Sequence, residues 1–124
     1  MSCAEVFLAK LCERDITVHY KPLKNNLAGA YSASQNTVYI DTSLSACEER
    51  CTLAHEYVHA VRGHTGAQPD YVEARVDEEA ARLLIDVEEY RQAERVYGSH
   101  PNVLAEELDV TPRYVIAFQR TLAI

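Results

Sequence analysis

The chain has 124 residues, of which 48% are hydrophobic and 25% charged, the size and balance of a single globular domain. Its formal net charge of −7 at pH 7 disfavours non-specific binding to phosphate backbones, so we expect no direct nucleic-acid partner. The sequence shows neither a secretory signal nor an apolar run near the roughly 20 residues of a membrane span, which predicts a cytoplasmic protein without membrane association.

The N-terminal third is predicted to form one helix and a small sheet. Ser2 and Glu5 have the spacing of a capping box, which starts a helix that ends near Arg14. Strands are predicted for residues 16–20, 29–33 and 37–41, and a polar turn joins the last two as a hairpin. We therefore predict about three strands in a mainly antiparallel sheet.

The remainder of the chain is predicted to be helical. Ser45 and Glu48 form a second capping box, which starts a long helix through Arg62 that Gly63 closes. Further helices are predicted for residues 70–85 with Asp70 as the cap, for 86–96, for 101–108 after Ser99, and from Pro112 onward. The predicted fold class is α+β, in one domain over residues 1–124 with a helical tail from about residue 86.

The long helix carries residues 55–59, His-Glu-Tyr-Val-His, which fit the pattern H-E-x-x-H. Helical residues four apart share a face, so His55 and His59 can bind one ion. Glu56 lies about 100° further round the helix, where its carboxylate can act as a general base on water beside the metal. The alternative is a solvated histidine–glutamate pair, but two histidines flanking the acid favour a Zn²⁺ site with Glu56 as catalytic residue.

A catalytic zinc site has three protein ligands and one open position, so a third ligand is needed. The next predicted helix contains Glu73 and Asp77, which lie one turn apart on the same face. Glu73 is predicted to bind the metal, while Asp77 accepts a hydrogen bond from the free ring nitrogen of a ligand histidine. The alternative is that both acids are solvated helix charges.

A further histidine, His64, follows His59 by five residues. A metzincin site would need glycine and histidine where the chain has Arg62 and Thr65, so that class of site is disfavoured. His64 is a candidate for contact with the substrate or transition state, and the alternative is a structural loop histidine. Two other histidines, His19 and His100, are remote in sequence and are predicted to be structural.

The chain resembles the ImmA/IrrE family of metallopeptidases. The resemblance rests on residues 53–60 (LAHEYVHA) with His64 behind them, on residues 73–85 (EARVDEEAARLLI), and on the helical tail. It extends from about residue 31 to residue 122. The departures are Tyr57 and Val58, where Leu-Gly is common, and Val76 in place of alanine, and they leave the proposed ligands intact.

The resemblance implies a gluzincin-like, zincin-type fold in which a small sheet packs on the metal-bearing helix. It implies that His55, His59 and Glu73 bind zinc and that Glu56 is catalytic. It also implies that the protein is an endopeptidase that cleaves a helix-turn-helix repressor of a phage or mobile element.

Two other functions compete with the peptidase. A non-catalytic module on the same scaffold would recognise a helix-turn-helix repressor without cutting it. A DNA-binding regulator would use residues 103–115, which read helix, tight turn, helix. The second of these is disfavoured, because only Arg113 and Arg120 are basic in the last helix. Packing in the core or docking of a partner is the better prediction for the tail.

Overall fold

The computed structural model describes residues 4–122, which form six α-helices and a three-stranded β-sheet and confirm the α+β class. The predicted cap Ser2 lies outside the described residues. The helices are α1 (Ala4–Glu13), α2 (Ala46–Arg62), α3 (Asp70–Leu84), α4 (Val87–Tyr97), α5 (Pro101–Leu108) and α6 (Pro112–Leu122), and the strands are β1 (Thr17–Tyr20), β2 (Gly29–Ser32) and β3 (Thr37–Ile40).

The sheet is mixed, with the strand order β1-β3-β2. β2 and β3 form the predicted antiparallel hairpin, but β1 pairs with β3 in parallel, so the prediction of a mainly antiparallel sheet is wrong. The physical reason lies in β3, whose Val38 and Ile40 are fully buried and therefore require the central position. The chain crosses from β1 to the far edge, forms β2, and turns back so that β3 lies between them.

The ends of α2 follow the sequence prediction, whereas the start of α3 does not. Ser45 and Glu48 form the capping box of α2, and Gly63 closes this helix in the left-handed conformation at φ 67°. Asp70 was predicted to cap α3, but Pro69 occupies the cap position and Asp70 is the first helical residue. At this position the negative charge of Asp70 still interacts favourably with the positive end of the helix dipole.

In the tail, α6 packs against α3 and α5. Pro112 begins α6, as predicted, and Asp86, predicted as the first residue of a helix over 86–96, is the cap of α4. The cap of α5 is His100, whose Nδ1 accepts the backbone N–H of Asn102, and the prediction of Ser99 at this end is wrong. The buried face of α6 consists of Tyr114, Val115, Ala117 and Phe118, which favours the core-packing role expected of the tail.

Helix α2 is the centre of the molecule, because it packs against α1, α3 and the sheet. The core around α2 includes Leu11, Val38, Ile40, Leu53, Val76, Leu104 and Val115, all of them almost fully buried.

Among the helices of residues 4–122, none has both the length and the apolar character needed to cross a bilayer.

Strand β2 approaches α2 most closely at Gly29. A Cβ atom at this position would lie 2.6 Å from Cγ2 of Thr52 and 3.2 Å from Cγ of Glu56. The first distance is shorter than any van der Waals contact, so a side chain here would push the strand away from the helix. Gly29 therefore sets the spacing between the sheet and the helix that carries the H-E-x-x-H residues.

We predict that Gly29→Ala lowers the free energy of unfolding by about 1–3 kcal/mol, the usual cost of overpacking. Thr52→Ser removes the Cγ2 methyl group and keeps the hydroxyl. In this background Gly29→Ala should therefore lower the free energy of unfolding by less. Chemical denaturation of the four proteins of this double-mutant cycle measures the difference. An equal cost in both backgrounds would show that Thr52 does not set the spacing.

Candidate metal site

Three side chains of the candidate site lie together on the buried side of α2. His55, Glu56 and His59 are each less than 10% exposed. The ring atoms Nε2 of His55 and His59 lie 3.2 Å apart, as their spacing of one helical turn predicts. These two histidines therefore present one nitrogen each to a common point.

Helix α3 brings Glu73 to the same point. Its Oε1 atom lies 3.1 Å from Nε2 of His55 and 3.2 Å from Nε2 of His59. The three atoms form a group that could hold a metal ion. Two other acids of α3, Glu78 and Glu79, pair with Arg120 and Arg62 instead.

The dimensions of this triangle fit a tetrahedral zinc site. Ligands about 2.0–2.1 Å from zinc at tetrahedral angles lie about 3.3 Å from one another, close to the 3.1–3.2 Å observed. The protonation pattern also fits a cation. An ionised Asp77 can only accept, so Nδ1 of His55 donates to it, and whenever the ring is neutral its Nε2 carries a lone pair towards Glu73. Converging lone pairs repel one another unless a positive charge lies between them.

Asp77 lies behind His55, as the sequence predicts. Its Oδ1 is 2.9 Å from Nδ1 of His55, and its Oδ2 accepts a hydrogen bond of 2.9 Å from Nε of Arg113. Burial opposes ionisation of Asp77, but the two hydrogen bonds outweigh it and lower the pKa of this carboxyl. The ionised carboxylate fixes the orientation and tautomer of the His55 ring.

His64 lies beside His59 and also lines the cleft in front of the site. The Nδ1 atoms of the two rings are 2.8 Å apart, so one must donate to the other. If Nε2 of His59 faces a metal, Nδ1 of His59 carries the proton and His64 accepts it. His64 can therefore orient His59 much as Asp77 orients His55, while its contact with substrate stays a prediction.

The environment of Glu56 differs from that of the other acids. Burial raises the pKa of Glu56 to about 7, against the opposing charge of His55. A carboxyl group near this pKa can both accept and release a proton at neutral pH, which general acid–base catalysis requires. Burial and the neighbouring His55 lower the pKa of His59, which favours the neutral ring that binds metals.

A cleft of about 630 Å³ opens in front of these residues, a volume typical of ligand sites. One wall is β2 with the residues before it, and the other consists of the loop after α2 and the start of α6. Sequence reasoning missed Arg113 and Tyr114 as members of this wall. The only signal for them was the helix start at Thr111-Pro112, which does not reveal that α6 begins beside α2.

The geometry thus defines a candidate metallohydrolase: an acid of suitable pKa next to a His-His-Glu donor set in an open cleft. Residues 12–117 match the family model described as IrrE N-terminal-like domain, Peptidase_M78. The chain therefore belongs to this family, which confirms the resemblance to ImmA/IrrE metallopeptidases. No curated protein showed significant similarity to the chain.

We predict that Asp77→Asn weakens the binding of Zn²⁺ by about 10- to 100-fold, because the amide no longer holds the His55 tautomer as a charged acceptor does. Titration against a chelating dye measures this affinity. Glu78→Gln is the matched control, since this acid lies next in sequence but pairs with Arg120 outside the site. Equal losses in the two variants would contradict a specific role for Asp77.

Proposed function

We propose that the protein is a zinc-dependent endopeptidase of gluzincin type, with a zincin-like arrangement of sheet and H-E-x-x-H helix, which hydrolyses a peptide bond in a protein substrate. The observation that carries this proposal is the triangle of His55, His59 and Glu73 next to Glu56 in a cleft. Membership of a peptidase family supports the reaction class.

His55, His59 and Glu73 would hold the ion. When bound, zinc acidifies the attacking water and polarises the scissile carbonyl group. Glu56 accepts a proton from the water molecule as the water oxygen attacks the carbonyl carbon. The same carboxyl group then delivers that proton to the amine nitrogen as the C–N bond breaks.

We predict that Glu56→Gln keeps the bound metal and loses cleavage by at least about 100-fold, since an amide cannot accept the proton. His55→Ala should lose the metal itself, whereas His19→Ala, a histidine exposed on β1, should change neither property. Elemental analysis gives the metal content. Mass spectrometry of a peptide library from a digested proteome gives the cleavage. Removal of the metal with a chelator should abolish cleavage, and added Zn²⁺ should restore it.

The proposal also includes the class of protein that is cleaved. A helix-turn-helix repressor of a phage or mobile element is the expected partner, since the chain belongs to the IrrE-like family and its acidic charge disfavours DNA itself. Fragments of such a repressor, formed by the wild-type protein and not by Glu56→Gln, would support it. Stable binding of the repressor by both proteins without any cleavage would favour the non-catalytic binding module instead.

The substrate is proposed to bind as an extra strand on β2. In the order β1-β3-β2 this strand is at an edge, and residues 28–31 line the cleft beside Glu56. The backbone oxygen of Ala28 accepts the N–H of Asp41, so alternation directs the backbone groups of Gly29 and Tyr31 outward. These free groups can pair with an extended peptide. Strand β3 has neighbours on both sides and offers no free edge to a peptide.

We predict that Tyr31→Pro raises KM about 3- to 10-fold relative to Tyr31→Ala, which corresponds to one lost hydrogen bond. Both variants lose the side chain, but only proline removes the outward N–H, and it leaves the pairing with β3 intact. Steady-state kinetics on the best peptide of the library gives the comparison, with zinc content measured in parallel. The same KM in the two variants would argue against strand addition on β2.

A further inference from the structure

Tyr114, in the first turn of α6, is the one buried tyrosine of the cleft wall. It is 5% exposed and lines the same cleft as His55 and Glu56. Within residues 4–122 its hydroxyl has no hydrogen-bond partner, whereas the hydroxyl of the other buried tyrosine, Tyr90, bonds with Glu94 and Gln119. The hydroxyl of Tyr114 is therefore the unengaged polar end of a side chain that is otherwise buried.

The hydroxyl of Tyr114 is open to the cleft. Among the residues that the structure describes, the only fully enclosed side-chain nitrogen or oxygen without a partner is Nε of Arg50. The oxygen of Tyr114 therefore keeps some contact with solvent, and the cleft is the cavity that this residue lines. A hydrogen-bond donor thus remains available where a substrate would lie.

The surroundings of Tyr114 keep it protonated and in place. Burial raises the pKa of its hydroxyl far above neutral, so the group is a donor at any physiological pH. The preceding residue, Arg113, donates to the Asp77 carboxylate that also holds His55. The first turn of α6 is therefore tied to a proposed metal ligand, which fixes Tyr114 relative to the reacting atoms.

We propose that Tyr114 is a catalytic residue of the peptidase, whose hydroxyl donates a hydrogen bond to the scissile carbonyl oxygen as this oxygen gains negative charge. The inference rests on the proposed function. As the water oxygen bonds to the carbonyl carbon, the electron pair of the C=O double bond moves to the oxygen, and Glu56 takes the water proton. When the C–N bond breaks, the pair returns and the nitrogen takes the proton from Glu56. Tyr114 keeps its own proton throughout.

Other donors of the cleft fit this role less well. His64 is only half-buried, and with Nδ1 engaged with His59 its one remaining donor is Nε2. Tyr31 lies on the strand proposed to bind the peptide backbone, and Arg113 is more than half exposed with its Nε bound to Asp77. Among the tyrosine, histidine and arginine donors of the cleft, Tyr114 is the one that is both buried and unengaged, and preorganised donors of this kind stabilise developing charge most effectively.

The test is Tyr114→Phe, which removes one oxygen atom and leaves the ring. We expect kcat to fall about 100-fold, as for loss of one oxyanion donor, with KM and zinc content unchanged. A second readout is calorimetric binding of a phosphonamidate analogue of the best library peptide, whose phosphoryl oxygen mimics the charged oxygen. The variant should bind it at least about 10-fold more weakly. In the Glu56→Gln background, binding of the uncleaved peptide should not change.

Tyr90→Phe is the matched control, because it removes a hydroxyl from the core behind α6 and should lower Tm without affecting kcat. An unchanged kcat in Tyr114→Phe, or a loss of kcat matched by equal loss of peptide binding, would overturn the role of Tyr114 alone. A wild-type protein that binds zinc and cleaves no library peptide would overturn the proposed function, and the role of Tyr114 with it.

Discussion

The packing of α3 against α2 brings the Glu73 carboxylate to the two histidines of α2. The histidines alone would offer two nitrogens on one helix face, a pattern found on many surfaces. With Oε1 of Glu73 at 3.1–3.2 Å from both, the group has the size and donor chemistry of a metal site. The cleft and the raised pKa of Glu56 can contribute to catalysis only if these three side chains come together.

Each of the two proposed histidine ligands is oriented by a side chain behind it. Asp77 of α3 holds His55, and Arg113 of α6 holds Asp77, so the C-terminal tail is joined to the site through two hydrogen bonds. His64, just past the end of α2, holds His59. On the other side, Gly29 lets β2 approach α2 until Glu56 forms part of the cleft floor. The helical tail is thus part of the candidate site rather than an appendage.

Local signals in the sequence predicted much of this arrangement. The capping box at Ser45 and the closing Gly63 are short-range features, and the structure has them. The placement of Glu73 and Asp77 followed from helical spacing and the need for a third ligand, and the structure brings both acids to the histidines. Their roles in binding and catalysis stay predictions.

Features that depend on tertiary contacts could not be predicted in this way. The central position of β3, with β1 parallel to it, goes with the full burial of Val38 and Ile40 on one face of the strand, and alternation within a short strand does not reveal which neighbours it has. Tyr114 and Arg113 reach the cleft only because the first turn of α6 packs against the middle of α3, where Arg113 meets Asp77. The caps at Pro69 and His100 differ by one residue from those predicted, which is the usual limit for helix ends.

X-ray absorption at the zinc K-edge of the purified wild-type protein tests the central claim most directly. The account predicts one zinc per chain, with nitrogen and oxygen neighbours at about 2.0–2.1 Å and an imidazole pattern for two of them. Sulfur at about 2.3 Å would show that cysteines such as Cys47 and Cys51 hold the metal, and would contradict the site at His55, His59 and Glu73.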